Sequence, residues 1–377
     1  MQLDELFTLI EYGLQELEYE APLKDEKTWT KVLIENGLVG ICYPVIKQGF
    51  NEKTYQGILK KAFGAYIYKD TQQSSHMAKI SYLFNHAGID HIYLKGSHLK
   101  HLYPKTYMRA MGDIDLIVRI SDFEKAIDIL KQNDYKLIEA ITHHHSFIFE
   151  DHMDIELHQS LSSDFDDSRK AFLDTLWDHT TRINQHQYQL TPEFEYTYLL
   201  LHLLRHLKQT GIGLRSLIDL DIYKKHYLLD NTRLTEYLSM TDALVFHNRV
   251  LEMNDTIFKR IELTDTTKKI INYILKSGIH GKGSDFDYYL PRRVSTQEDK
   301  KVSRFKYVMM QVFPPRRHLL ETYPYLKKHP YLLPWAWFVR ILKLIFKKPK
   351  SIKLRLGSLK NDSLTSETKE VFNYFTK

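Results

Sequence analysis

Two short apolar runs, Ile92–Leu94 and Ile114–Val118, bracket the stretch IYLKGSHLKHLYPKTYMRAMGDIDLIV. Their length and composition predict buried strands. The second run follows Asp113 and itself carries Asp115, two positions on. Side chains alternate along a strand, so both carboxylates take one face, with Cα atoms about 6.5–7 Å apart. Ile114 and Leu116 take the other face, towards a core. Carboxylates on an otherwise apolar strand cost free energy unless their charge is compensated. A divalent cation is the usual compensation, and ligation by oxygen alone selects Mg²⁺ or Mn²⁺.

Between the two runs, Lys95-Gly96-Ser97 leaves the first strand. Gly96 and Ser97 predict the opening of a helix whose backbone amides can hold a phosphate. Glycine admits a close approach, and the serine hydroxyl adds a donor. A phosphate cradle beside metal-binding carboxylates is what phosphoryl or nucleotidyl transfer needs. The plainer alternative is a buried strand pair joined through an Asp-rich turn. Gly-Ser alone, or Asp-x-Asp alone, would not separate the two readings.

The combination resembles the nucleotidyltransferase superfamily of polymerase-β-like folds. Leu94-Lys95-Gly96 followed by Arg109-x-x-Gly112-Asp113-Ile114-Asp115-Leu116 resembles one bacterial branch, the fifth NTP-transferase group. Fifteen residues, His98–Gly112, separate Ser97 from Asp113. That is longer than the wider superfamily uses and typical of the branch. The resemblance extends over about residues 85–345, with specific motifs near 94–118, 154–158 and 202–219.

It implies an α+β fold: a polymerase-β-like mixed sheet with helices, flanked by N-terminal and C-terminal helical subdomains. It also implies a Mg²⁺-dependent (or Mn²⁺-dependent) enzyme that moves NMP from an NTP to an acceptor hydroxyl and releases pyrophosphate. Asp113 and Asp115 would hold metal, and a third acid from a later strand would complete the set. Lys95, Gly96, Ser97, Arg109 and Gly112 would bind the nucleotide. The acceptor stays open among small molecule, sugar, protein side chain and tRNA. ATP is the expected nucleotide class, and a catalytically silent nucleotide-binding or scaffold protein is the competing reading.

The third acid lies in Met153-Asp154-Ile155-Glu156-Leu157-His158. Asp154, Glu156 and His158 share one strand face, so parity leaves both acids open. The branch's acid, apolar residue and histidine match Glu156-Leu157-His158, which makes Glu156 the catalytic and metal-binding expectation. Of His143-His144-His145, the outer two are placed to face the site if the triplet is a strand.

The remaining chain reads as supports. Residues 1–88 have helical periodicity and form a helical N-terminal subdomain. The catalytic sheet takes 89–190, with Ser121 and Glu124 as a capping box for a helix before strand Tyr135–Ile141. A helical subdomain takes 191–311, beginning with Thr191 as N-cap and Pro192 at the first position. There His202 and His206 share a face, and Arg215 and Asp219 are spaced to pair at the surface. Gly281-x-Gly283 lacks the preceding strand of a dinucleotide fingerprint.

Charge is localised. From Thr322 to Asn361 there are ten Lys or Arg and no Asp or Glu, so this tail carries +10 and the rest of the chain −4 of the +6 total. Residues 312–377 are thus a Pro/aromatic, basic tail open to weak contact with a membrane surface or nucleic acid. Its apolar run Trp335–Phe346 is too short to span a bilayer. Burial of Trp335 and Trp337 on the chain itself is the expectation. One cysteine, Cys42, and an acidic, amphipathic start point to the cytoplasm.

Overall fold

Gln73, Met77, Ile80 and Phe84 recur at helical spacing and form the buried stripe of a 35-residue helix, Lys53–Ala87. This helix lies along one face of a mixed sheet. The computed structural model describes residues 2–46, 49, 52–141, 144–150, 153–162, 165–209, 211–259, 261, 263–279, 313–316, 319, 323–347 and 362–377. Its elements in chain order are α1 (Leu3–Leu14), α2 (Glu26–Glu35), α3 (Val39–Ile46), α4 (Lys53–Ala87), β1 (His91–Tyr93) and the short α5 (Gly96–Leu99). Then come β2 (Ile114–Val118), α6 (Phe123–Gln132), β3 (Lys136–Ala140), β4 (His144–Phe149), β5 (Met153–His158), α7 (Asp167–Asp174), β6 (Thr180–Asn184) and β7 (Gln187–Leu190). Helices α8 (Pro192–Gln209), α9 (Leu214–His226), α10 (Asn231–Met240), α11 (Leu244–Phe258), α12 (Asp265–Ser277), α13 (Leu333–Lys347) and α14 (Asp362–Thr376) follow.

The seven strands run in the order β3-β4-β5-β2-β1-β7-β6. β2 is antiparallel to β1 and parallel to β5, and β1 is parallel to β7. An α+β fold with a mixed sheet is therefore what the chain adopts. The core side of the sheet carries Tyr93, Ile114, Leu116, Val118, Phe147, Ile155 and Leu157. Met77, Ile80 and Phe84 of α4 and Phe123, Ile127 and Leu130 of α6 cover it. At roughly 2 kcal/mol for each buried large apolar side chain, this face is the main source of the sheet's stability. The alternation that buries it turns Asp115, Glu156 and His158 to the opposite face.

Some local expectations fail on chemistry nearby. Ser121 does not cap α6; Ile120–Asp122 form a 3₁₀ turn instead, and Phe123 opens the helix. Thr191 precedes Pro192 as read, but its hydroxyl is buried without a hydrogen-bond partner among the described residues.

The chain divides into two compact units, Met1–Leu203 with Gly213–Ile271, and Leu204–Ile212 with Asn272–Lys377. The second has its own small core of Leu319, Tyr323, Leu326 and Ala336, against which Leu332, Leu333, Trp337 and Val339 pack. Trp337 is half-buried; its indole donates to the Pro314 carbonyl at 2.8 Å. Trp335 corrects the expectation of burial, for it is 57% exposed. The two tryptophans are two residues apart, which on a helix sets them on different sides. Gly281 and Gly283 lie outside the described residues.

Candidate active site

Strand register assembles the site. In the parallel β2–β5 pair, Asp115 stands opposite Glu156 and Ile117 opposite His158. In the antiparallel β4–β5 pair, His144 stands opposite His158 and Ser146 opposite Glu156. Neighbours in register share a face, so the side chains of Asp115, Glu156, His158 and His144 converge. His158 Nε2 donates to Asp115 Oδ1 at 3.0 Å and lies 3.4 Å from Glu156 Oε2. His144 Nε2 is 3.9 Å from Glu156 Oε1. Asp154, at the start of β5, is exposed and opposite Ile148. The two acids thus differ in setting: Glu156 is half-buried beside Asp115, and Asp154 is exposed at the strand's start.

The histidine triplet is corrected in phase. His144 joins the site, whereas His145 points to the other face and sits edge-on to Phe123 at 5.0 Å. His143 lies outside the described residues. Among the described residues, Asp115, Glu156 and His158 are the one group of three or more such side chains close enough to hold an ion.

Lys95 answers part of the negative charge. Its ammonium donates to Asp115 Oδ1 at 2.7 Å. The residue holds φ +48°, ψ −125°, a region that side chains other than glycine rarely adopt. Burial works against a charged Asp115, yet Lys95 and His158 keep its carboxyl far below the usual range. His158 hydrogen-bonds Glu156 and holds it low as well. Burial opposes a proton on His158, but the two acids raise its affinity for one. Asp113 is different. The charge of Asp115, burial and Glu156 together push it up to about 6. Repulsion that Lys95 leaves unanswered fits a site built for one more cation. The carboxylates of Asp115 and Glu156 with the imidazole of His158 form a donor set that suits a divalent metal; Asp113, expected as a ligand, is outside that group.

The connection from Gly96 to Gly112 is tied at two aspartates. Asp70 on α4 pairs with the fully buried Lys100 and accepts from Thr106 Oγ1 at 2.7 Å. Asp219 on α9 accepts from Tyr103 OH at 2.7 Å and from Arg109 Nε and Nη2 at 3.1 and 2.9 Å. Arg215 donates to the Ala110 carbonyl at 2.7 Å. Burial, then the charge of Arg109, pulls its guanidinium down to about 10. Arg215 and Asp219 are therefore buried members of this knot and no surface pair. A Cβ on Gly96 would meet Arg109 Nη1 at 3.0 Å, so the glycine makes room for that guanidinium. From the N-terminal side, α3 approaches the same connection, where a Cβ on Gly40 would fall 2.5 Å from the Tyr107 carbonyl.

Ser97 is fully buried. Its amide donates to the Leu94 carbonyl, and its hydroxyl oxygen accepts from the Asp115 amide, both at 3.0 Å. It braces β2 instead of offering an open amide. Gly112 is exposed with free space where a side chain would stand. One residue further into α5, His98 Nδ1 donates to Glu195 Oε1 at 2.6 Å, and Tyr223 OH donates to the same carboxylate at 3.1 Å. Burial disfavours the imidazolium, but Glu195 more than offsets this and raises its pKa. The pair's contribution is full below the unfolded imidazole value of about 6.5 and is lost as pH rises through the higher folded value. The Tm deficit of His98→Asn should thus be larger below neutrality than well above it. Thermal melts at both ends test this, and a deficit independent of pH would refute a charged pair.

No curated protein and no solved structure matches the chain. No helix among the described residues is long and apolar enough to cross a membrane. A family model described as an uncharacterised nucleotidyltransferase matches residues 22–258. The match starts earlier than the motifs suggest and takes in α2–α4, the helices that carry Gly40 and Asp70; it ends before the basic tail. With more than half of its length matched, and with the Asp-x-Asp strand set beside Glu156, the chain belongs to this nucleotidyltransferase family.

Proposed function

We propose that the chain transfers NMP from an NTP, with ATP the first candidate, to an acceptor hydroxyl. The observation that carries this is the parallel β2–β5 register, which sets Asp115 beside Glu156 one strand turn from Asp113. Asp113, Asp115 and Glu156 hold the metal, with His158 joining or orienting them. A bound Mg²⁺ or Mn²⁺ would supply charge neutralisation on the phosphates and acidify the acceptor hydroxyl. Lys95, paired with Asp115, would turn its ammonium to a phosphate oxygen of the bound nucleotide. Gly112 leaves the approach to Asp113 open. Ser97 and Arg109 position the site from behind: one braces Asp115, the other fixes the connection through Asp219. Attack by the acceptor oxygen on the α-phosphorus forms the new P–O bond and breaks the bond to pyrophosphate, which leaves with the negative charge. The acceptor's proton passes to solvent or to Glu156.

Incubation with labelled NTPs and a cell lysate, in Mg²⁺ and in Mn²⁺, tests the reading: one acceptor should gain label. Glu156→Gln should cost about a hundredfold or more in that transfer, while Asp154→Asn should cost little. Equal losses would move the third acid to Asp154. One observation favours a catalytically silent nucleotide-binding protein, because Lys95 and His158 already pair with Asp115. Nucleotide binding without label transfer in either metal would establish it.

A further inference from the structure

The basic tail has two faces that the sequence does not distinguish. On the inner side of α13, Ala336 is fully buried and the Trp337 indole is held by Pro314 and lies edge-on to Phe313 at 5.4 Å. On the outer side, Tyr331 ahead of the helix is 72% exposed, Trp335 57% and Phe338 51%. Residues 331, 335 and 338 follow helical spacing, and the Trp335 and Phe338 rings stack at 5.6 Å. Trp335 and Phe338 thus form an exposed ridge, with Tyr331, its hydroxyl 3.0 Å from His329 Nδ1, exposed just ahead of it, although the same helix packs its other aromatic face.

We propose that this ridge is a docking surface for an anionic lipid bilayer. Charge decides the partner. From Thr322 through Lys347 the chain has five Lys or Arg (Lys327, Lys328, Arg340, Lys343 and Lys347) and no Asp or Glu. Trp and Tyr settle at the headgroup level of a bilayer, and basic residues beside them gain from anionic headgroups. An amphipathic helix of this type lies in the interface plane, its apolar ridge sunk among the acyl chains. Since no described helix can span, the contact is peripheral. A nucleic-acid site would need a basic groove with bases stacked into it. Two exposed rings already stacked on each other suit a plane better.

The test uses the full-length protein and vesicles of phosphatidylcholine alone or mixed with phosphatidylserine. The protein should co-sediment with the mixed vesicles, with a blue shift in tryptophan emission, and far less with phosphatidylcholine alone. Trp335→Ser with Phe338→Ser removes only exposed rings, so circular dichroism and Tm should match wild type while vesicle affinity falls about tenfold or more. Tyr331→Ser, outside the helix, should give a smaller loss with no demand on helix folding. Undiminished binding by the double variant would overturn the proposal. So would equal indifference to both vesicles, or binding to single-stranded RNA that vesicles do not match.

Discussion

Asp115→Asn should abolish nucleotidyl transfer and destabilise the fold, whereas Asp113→Asn should abolish transfer alone. Each substitution should cost roughly a thousandfold or more in rate, about 4 kcal/mol in the barrier, since each removes a metal-binding charge. The stability outcomes differ because the two carboxylates live in different fields. Asp115 is 4% exposed and holds the ammonium of Lys95 and the imidazole of His158. Removing its charge takes the shared acceptor from the half-buried Lys95 ammonium and leaves His158 with Glu156 alone, which costs about 3 kcal/mol. The sequence leaves both aspartates as charges in need of compensation, and Lys95 and His158 supply it for Asp115. Asp113 does carry such a charge, with its carboxyl pushed up to about 6 by Asp115. Its asparagine variant should melt at the wild-type temperature or higher at neutral pH. Urea unfolding of both variants beside the transfer assay is the check. Retained transfer by Asp113→Asn in Mg²⁺ would remove it from the metal set.

Asp219→Asn should unfold the protein more readily by about 3–5 kcal/mol, although it touches neither sheet nor metal ligand. It accepts both arms of the Arg109 guanidinium and the hydroxyl of Tyr103, and all three side chains are buried. An amide in its place offers one acceptor oxygen to a charged fork that needs two. Arg109→Lys should fail in the same direction, because a single ammonium cannot reproduce the fork. If the role is positioning, Asp219→Asn should also lower kcat more than it raises KM for the NTP. A loss confined to KM would indicate that Arg109 is a phosphate ligand, the part the family resemblance implied. Replacing the pair by Arg109→Met with Asp219→Leu should recover part of the stability, since an apolar pair leaves no buried charge.

What could be read from the sequence is what local patterning controls. β1 and β2 were legible as short apolar runs because they are buried along their length, and β5 because its buried face forces apolar residues into alternation with Asp154 and Glu156. The hairpin β6–β7 gave no comparable signal. Thr180–Asn184 is largely exposed and mostly polar, as an edge strand can be, and Gln187–Leu190 is only four residues long with Leu190 alone buried. Glu156 was preferred to Asp154 on the family's acid, apolar residue and histidine pattern; that it stands opposite Asp115 is a pairing between residues about forty apart that alternation alone does not encode. Arg109 was recognisable as important, but its partner lies 110 residues along the chain. Trp335 was misjudged because a run of apolar residues conveys hydrophobicity without saying which side of the helix finds a neighbour.

The Asp219 strut bears on the order in which a growing chain can become a working one. Every residue proposed for the metal has been synthesised once translation passes His158, and the last strand of the sheet once it passes Leu190. The loop between Gly96 and Gly112 nevertheless has one of its two moorings on α9, which emerges later. Contacts so distant in sequence form late and at an entropic cost. A nascent chain that has reached β7 therefore carries all the proposed metal ligands with the 96–112 loop held at Asp70 alone. Premature termination after Leu190 should yield a folded but idle sheet, and pulse-labelled chains should acquire protease resistance at residues 96–112 only after α9 has been made.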